Sequence, residues 1–464
     1  MALTVSLDDI VASGNSLLAI KPQWQRVRLG DVGQVLNGYA FKAELFTREG
    51  GMPLIRIRDV GSAASETFYS GEFDERYVVS AGDLLVGMDG DFNCARWCGP
   101  RSLLNQRVCK ITVDEALYLP RFLDYVLPGY LKAINDATSS ITVKHLSSRT
   151  IQDIPLPLPP MDEQREIVAE LEKQFSRLDE AVANLQRVKS NLKRYKASVL
   201  KAAVEGRLVE TEATLARLEG RTYETGEQLM QRILMSRPSA WKGKYDSPTP
   251  PECPDDAVTP DGWTWITVSQ AMRERIVNGL SIKESATPTS VRALKLSAMS
   301  DQGLDFDDFR WLPIELSKVE DIVIRESDFF VSRGNGSLEL VGRGSPAQGP
   351  KQAVIFPDTM MRIRFSQVVN VGPWFHALWT TRLVRTQIEK RVKTTAGIYK
   401  MAQPELASIT VPLPPLAEQA RIVAEVDRHL SIIREVEAEV DANLKRAQAL
   451  RQSVLSRWFK NSAN

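Results

Sequence analysis

Several things are scarce in this 464-residue chain, and each scarcity excludes something. Three histidines, His145, His376 and His429, leave little from which to build a Ser/His/Asp relay or a histidine-rich metal site. Four cysteines, Cys94, Cys98, Cys109 and Cys253, make no disulfide framework. Cys94 and Cys98 lie close together, but no second cysteine or histidine pair follows at a zinc-ligand spacing, so all four read as reduced cytosolic thiols. No apolar run approaches the ~20 residues of a membrane span. The stretch Met1–Lys21 lacks the basic start and apolar run of a signal peptide. A Gly-rich phosphate loop ending in Lys-Ser/Thr is missing, and so is the Asn/Asp-Pro-Pro-Tyr/Phe string of adenine methyltransferases. The expectation is a cytoplasmic chain with no catalytic constellation, no metal and no cofactor of its own. Net charge is +1, which neither demands nor forbids nucleic acid; a DNA binder would have to gather many of its 59 basic residues on one face. A hydrophobic content of 43% is ordinary for a chain that buries cores, and the length suits about three domains.

Proline and glycine vanish from two long stretches, Asp162 to Glu205 and Leu416 to Asn464. Each is announced by nearly the same string, Pro157-Leu158-Pro159-Pro160-Met161-Asp162-Glu163-Gln164 and Pro412-Leu413-Pro414-Pro415-Leu416-Ala417-Glu418-Gln419. The match continues as Ile167-Val168-Ala169-Glu170 against Ile422-Val423-Ala424-Glu425, and returns as Ser198-Val199-Leu200 against Ser453-Val454-Leu455. The offset stays at 255 residues throughout (Pro157 to Pro412), far beyond the ~20–50 of a solenoid repeat. The chain is therefore a duplicated domain-plus-helix with an approximate internal two-fold, and its target is expected to have two halves.

Within the first arm Val168, Leu171, Phe175, Leu178, Val182, Leu185, Leu192 and Val199 fall on alternating steps of three and four, interrupted by Lys189 and Lys196. The second arm repeats this with Val423, Val426, Leu430, Ile433, Val440, Leu444, Ala447, Val454 and Trp458, interrupted by Glu437 and Arg451. A sustained 3.5-residue period is a coiled-coil seam, and the simplest partner for each arm is the other. At ~1.5 Å per residue each would span roughly 65 Å. Prolines 155, 157, 159 and 160 favour extended polyproline geometry, a stiff joint between globular domain and rod.

Ahead of each arm lies a region of alternating strands, turns and helical patches (Leu117–Ile134, Trp374–Lys390). Faint echoes link the two regions. Asn37-Gly38 answers Asn278-Gly279, and Leu54-Ile55-Arg56-Ile57 answers Ala293-Leu294-Lys295-Leu296. Gly82-Asp83-Leu84-Leu85-Val86 answers Ser327-Asp328-Phe329-Phe330-Val331, and Thr138-Ser139-Ser140 with Lys144 answers Thr394-Thr395-Ala396 with Lys400. The fold class is α+β: two mixed α/β domains joined by two long antiparallel coiled-coil helices. The divisions are 1–23 extension, 24–156 first domain, 157–210 first arm, 211–259 short helix and Pro-rich linker, 260–411 second domain, and 412–464 second arm.

Reading base edges in the major groove takes Arg or Lys for guanine and Asn or Gln for adenine, held on stiff loops. Asp89, Asn93, Arg96, Asn105, Gln106 and Arg107 cluster after the Leu84-Leu85-Val86 strand, and Arg333, Asn335 and Ser337, followed by Arg343, fill the corresponding place in the second domain. The paired strands add Arg56, Arg58 and Lys295. Lys144, Lys393 and Lys400 beside Thr/Ser runs suit phosphate contacts, which position without specifying. Asn-Gly is equally at home in a solvated hairpin turn.

The set formed by Trp24 or Gly262-Trp263, Leu36-Asn37-Gly38, Pro53-Leu54-Ile55-Arg56, Gly82-Asp83-Leu84-Leu85 and the Pro-Leu-Pro-Pro…Glu-Gln helix start resembles the DNA-specificity subunit of a type I restriction–modification system, over nearly the whole chain. The second domain departs in having Ala293-Leu294-Lys295-Leu296 for the Pro-Leu-Ile-Arg string. The resemblance implies two target-recognition domains, each reading one half of a gapped sequence. It implies helices that act as a ruler and dock two modification subunits, which bind S-adenosylmethionine and methylate adenine. A restriction/translocase subunit is a further implied partner. The alternative is a non-catalytic coiled-coil scaffold whose two α/β domains bind other proteins. If the arms are a ruler, lengthening both by whole heptads changes the unread gap and leaves the half-sites alone. Mapping the methylated motif checks this, and an unchanged motif counts against the ruler.

Overall fold

A computed structural model describes residues 5–15, 18–138, 144–241, 244–252, 259–349, 352–395 and 397–459. Ser139, Ser140, Cys253 and Ala396 lie outside the described residues. Internal contacts divide the chain into two compact units, Met1–Gln186 with Asp441–Asn464, and Arg187–Val440. Both arms are single helices of 44 residues, Met161–Val204 and Leu416–Phe459, and each contributes to both units. The first ends in a Schellman arrangement: Gly206 takes φ +65°, and the Arg207 amide donates to the Ala202 carbonyl at 2.9 Å.

The units are built on one plan. In the first, the strands Gly33–Asn37, Val108–Val113, Leu84–Gly87 and Cys94–Arg96 lie side by side in that order. In the second, Val277–Asn278, Met360–Arg364, Asp328–Ser332 and Gly344–Pro346 repeat it. A second sheet in each contains one parallel pair, Met52–Ile55 with Ser102–Leu104 and Val291–Leu294 with Val354–Ile355. The helix Pro120–Ala137 buries Phe122, Leu123, Val126, Leu127, Tyr130, Leu131 and Ile134, one face at helical spacing, in the core of the first unit. Its counterpart is broken into Gly372–Trp379 and Arg382–Arg391, where the sequence suggests one helical patch.

The Pro-rich lead-ins are strands, not free polyproline joints. Pro155–Leu158 pairs antiparallel with Gln25–Arg28, and Thr410–Leu413 with Thr264–Thr267. An antiparallel strand points alternate N–H groups away from its neighbour, so prolines at 155 and 157 sit where no donor is needed. The Leu29 amide donates to the Ile154 carbonyl at 3.0 Å and the Val268 amide to the Ile409 carbonyl at 2.9 Å, which puts Pro155, Pro157 and Pro412, opposite Arg28, Arg26 and Trp265, at the non-bonded positions.

The Glu-Gln that follows ties each arm to its domain. Glu163 accepts from the Trp24 indole at 2.9 Å and from Lys21 at 2.8 Å; Glu418 accepts from the Trp263 indole at 2.9 Å and from the Glu212 amide at 2.8 Å. Gln164 donates to the Pro159 carbonyl at 3.0 Å and Gln419 to the Pro414 carbonyl at 2.8 Å. Gln164 also accepts from the Leu119 amide at 2.8 Å, capping the Pro120–Ala137 helix. Burial opposes ionisation of both glutamates. The hydrogen bonds from Lys21 and Trp24 outweigh it for Glu163, whose pKa falls, whereas desolvation wins at Glu418, whose pKa rises.

Within each unit the arms run antiparallel. In the first, Asp179 pairs with Arg451 at 2.7 Å, Arg451 lies 4.5 Å over the Phe175 ring, and Val454 and Trp458 pack on the core that holds Leu171. In the second, Tyr195 contacts His429 at 2.9 Å, and Val199, Leu200 and Ala203 share a core with Ile422 and Val426. Seam positions Leu171, Phe175, Val426, Ile433 and Val440 are buried; Leu178, Val182, Leu185, Leu192, Leu430 and Leu444 are half-buried.

Between arm and second domain the sequence suggests one short helix, but there are two, Glu212–Glu219 and Gly226–Ala240. Thr211 caps the first, and Gly220 ends it at φ +65°. The second is docked: Arg237, 1% exposed, donates to the Met272 carbonyl at 2.9 Å and stacks 4.1 Å over Trp241.

Glu418→Ala strands two buried donors, the Trp263 indole and the Glu212 amide, at roughly 1–3 kcal/mol each. Glu163→Ala should cost less, because Glu163 is 26% exposed. Hydrogen exchange in Thr264–Thr267 is expected to rise more in the first variant than exchange in Gln25–Arg28 does in the second; equal effects contradict the assignment.

Candidate nucleic-acid interface

In the first unit a polar corner forms where the sheet meets the segment before the Ser148–Gln152 helix. The Leu146 amide donates to the Met88 carbonyl at 2.7 Å and the Gly90 amide to the Lys144 carbonyl at 3.1 Å, which sets Asp89 directly opposite His145. Facing residues on an antiparallel pair share a side of the sheet. Asp89 Oδ1 accordingly meets His145 Nδ1 at 2.5 Å, and Asp89 Oδ2 pairs with Arg107 Nε at 3.4 Å. Asn105, Gln106 and Arg107 form the turn into the Val108–Val113 strand, with the Asn105 side chain accepting from the Gln106 amide at 2.9 Å. Lys144 turns inward: its Nζ donates to the carbonyl and side-chain oxygens of Asn135, at 2.7 and 2.8 Å, closing the C-terminal end of the Pro120–Ala137 helix.

Beside this corner the chain crosses itself at Gly38. A Cβ there would drive into the carbonyl of Asn105, so glycine is required for the approach, and Asn37 donates to Ser148 at 3.0 Å. Gly279 is crowded in the same way by the carbonyls of Phe356 and Pro357, and Asn278 accepts from Gln403 at 3.0 Å. The duplicated Asn-Gly is thus a close backbone crossing rather than a hairpin turn. Tyr39, half-exposed, follows Gly38 and packs 5.2 Å from Tyr77.

In the second unit the same corner carries a three-stranded ribbon, Gly334–Asn335, Ile398–Lys400 and Lys393–Thr395 in the order first, second, third. Gly334 and Lys393 both face Lys400, and Asn335 faces Tyr399. The Met401 amide donates to the Arg333 carbonyl at 2.9 Å, as Leu146 does to Met88. Asn335 accepts from the Ser337 amide at 3.1 Å, Arg333 donates to the Asp358 carbonyl at 3.4 Å, and Lys393 reaches Glu405 at 3.3 Å while staying 81% exposed. The shared pairing corrects the sequence register: His145, not Lys144, is the counterpart of Lys400, and Lys144 is that of Tyr399. The offset is then 255, as in the arms. The Thr-rich runs, taken alone, slip it by one.

The remaining candidates lie elsewhere. Arg96 pairs with Asp124 at 2.6 Å and donates to the Pro120 carbonyl at 3.0 Å, bracing helix against sheet. Arg343 pairs with Asp301 at 3.4 Å and donates to the Met299 carbonyl at 3.3 Å. Lys295 pairs with Asp308 at 3.1 Å. Arg56 and Arg58 are exposed around the short turn at Ile57–Asp59, and Asn93 is exposed at the end of the loop after Gly87. His145, Tyr39 and Tyr399 also stand at these corners, and the sequence marks His145 only by its place beside Lys144.

Among the described residues no group of His, Cys, Asp and Glu could hold a metal ion. Burial pushes the Cys109 thiol up to about 12 and that of Cys94 higher, which disfavours the nucleophilic thiolate at both. No helix is long and apolar enough to cross a membrane among the described residues.

Residues 22–190 match the family model for the type I restriction modification DNA specificity domain. The chain is 32% identical over 449 residues to the type I restriction enzyme EcoBI specificity subunit of Escherichia coli, covering 96% of this chain and 87% of that protein. It is 21% identical over 461 residues to the EcoKI specificity subunit of Escherichia coli strain K12, covering 94% and 88%. A chain from a solved structure concerned with complex assembly and conformational transition of the type I R-M system shares the fold, with TM-score 0.60, 17% identity, and coverage of 95% of this chain and 99% of that one.

Gly38→Ala and Gly279→Ala force a methyl group into a backbone crossing and should each destabilise their own unit by roughly 1–3 kcal/mol. Thermal unfolding checks the loss. Wild-type stability in both variants would show that the crossing is loose.

Proposed function

This chain belongs to the family of type I restriction enzyme specificity subunits, which recognise DNA and are not catalytic, and from that premise we propose that its two polar corners each read one half of a gapped double-stranded DNA target. The observation that carries this reading is one scaffold built twice, with different side chains at the same corner: Asp89, Asn105, Gln106, Arg107 and His145 in one unit, Arg333, Asn335, Ser337, Lys393 and Lys400 in the other. A duplicated frame with diverged loops suits two half-sites of different sequence. Arg107 and Arg333 have the chemistry to bridge guanine O6 and N7, and Asn105, Gln106 and Asn335 that to pair with adenine. Lys393 and Lys400 are exposed cations suited to phosphates.

The antiparallel arms dock two modification subunits, which bind S-adenosylmethionine and methylate adenine, and a restriction/translocase subunit joins through that assembly in the cytoplasm. Chemistry on the base is theirs; this chain contributes the address. The scaffold alternative, in which both domains bind proteins, is less well supported, because the chain belongs to a family of DNA-recognition subunits.

Binding of the full chain with its modification subunits to duplex DNA should weaken linearly in log K against log salt, since each neutralised phosphate releases counterions. Lys400→Ala is expected to lower that slope by about 1 and to weaken all sequences alike. Binding that ignores salt supports the scaffold reading instead.

A further inference from the structure

Two features of the first corner are unlike the second. An acidic side chain, Asp89, stands where the second unit has Gly334, and a histidine stands where it has Lys400. A carboxylate facing DNA is repelled by phosphates unless it accepts from a cytosine amine. Asp89 is poorly placed for that, because both its oxygens are already engaged inside the protein, Oδ1 by His145 at 2.5 Å and Oδ2 by Arg107 at 3.4 Å.

Resting on the DNA-recognition reading above, we infer that Asp89 is the positioning residue of the first half-site, orienting Arg107 to read a guanine and His145 to contact DNA in the place that Lys400 occupies in the second unit. The geometry supports each part. The bonds Leu146 to Met88 and Gly90 to Lys144 bring Asp89 and His145 face to face, so their contact is set by backbone pairing rather than by a flexible side chain. With Nε on Asp89 and Nη1 3.4 Å from His145 Nδ1, the 53%-exposed guanidinium still has Nη2 and the second hydrogen of Nη1 for the two acceptors of guanine. Donation from His145 Nδ1 to Asp89 leaves Nε2 as the ring nitrogen for DNA. Lys400 faces a glycine and needs no such brace, because an ammonium seeking a phosphate requires no fixed orientation. The first corner thus trades a mobile cation for an oriented pair.

The test is selection from a randomised duplex library by the full chain bound to its modification subunits, comparing wild type with Asp89→Asn, Arg107→Lys, His145→Lys and Lys400→Ala. Wild type should enrich a gapped motif with a guanine in one half. Asp89→Asn and Arg107→Lys should flatten the preference at that same guanine by tenfold or so, leaving the other half intact. His145→Lys sets a second cation beside Asp89 in competition with Arg107 and should also weaken the preference at that guanine, whereas Lys400→Ala, in the other unit, should lower affinity without changing that preference. The intact half serves as the control for folding; should Asp89→Asn fail to fold, Arg107→Lys decides. A wild-type motif left unaltered in both Asp89→Asn and Arg107→Lys overturns the inference while the DNA reading stands. A wild-type complex that enriches no gapped motif removes the reading itself.

Discussion

The hydrogen bond from a tryptophan indole to a glutamate carboxylate, made once at each domain's first strand, is the constraint on which the architecture depends. Trp24 reaches Glu163 and Trp263 reaches Glu418, both at 2.9 Å. In each case the tryptophan opens a domain and the glutamate lies in the first turn of a 44-residue helix. The bond therefore closes the domain on itself and aims the arm in the same contact. Everything downstream inherits that aim: the proline strand beside the first strand, the glutamine that seals the proline carbonyl, and the start of the seam.

The two copies of this tie differ in environment. Glu163 is partly open to water and shared with a lysine, which favours its charge. Glu418 is sealed among Trp263, the Glu212 amide and Arg421, and desolvation raises its pKa. A buried acceptor satisfied by two donors is costly to remove but contributes little net while intact. The second junction is thus the more brittle of the two, and the helices Glu212–Glu219 and Gly226–Ala240 packed around it belong to the second unit's frame rather than to a passive linker.

Much of this was legible in the sequence because it obeys short-range rules. The arms show as proline-free stretches with a 3.5-residue seam, and their duplication shows as a constant offset. The prolines were harder. Pro155 and Pro157 argue against helix, yet nothing local says that a strand waits at Gln25–Arg28 to pair with the residues between and beside them. The candidate site was legible by neighbourhood and not by contact. Arg96 and Arg107 look alike in sequence, but Arg96 braces a helix through Asp124 while Arg107 stands exposed beside Asp89. In sequence, Lys144 beside a Thr/Ser run suits a phosphate, whereas the backbone pairing turns this lysine toward the helix end and His145 toward the corner. Partnerships across more than fifty residues, such as Asp89 with His145, leave no trace in spacing.

A duplicated frame with unlike corners suits the proposed reading of two unlike half-sites, and nothing in the frame has to change when a loop does. The most direct test is a genome-wide map of N6-methyladenine in the host with and without this gene, its modification partner being expressed in both. The account predicts that deletion erases methylation from one gapped, two-part motif and from nothing else. An identical map in the two strains, with the chain and its partner both present in the first, would contradict it.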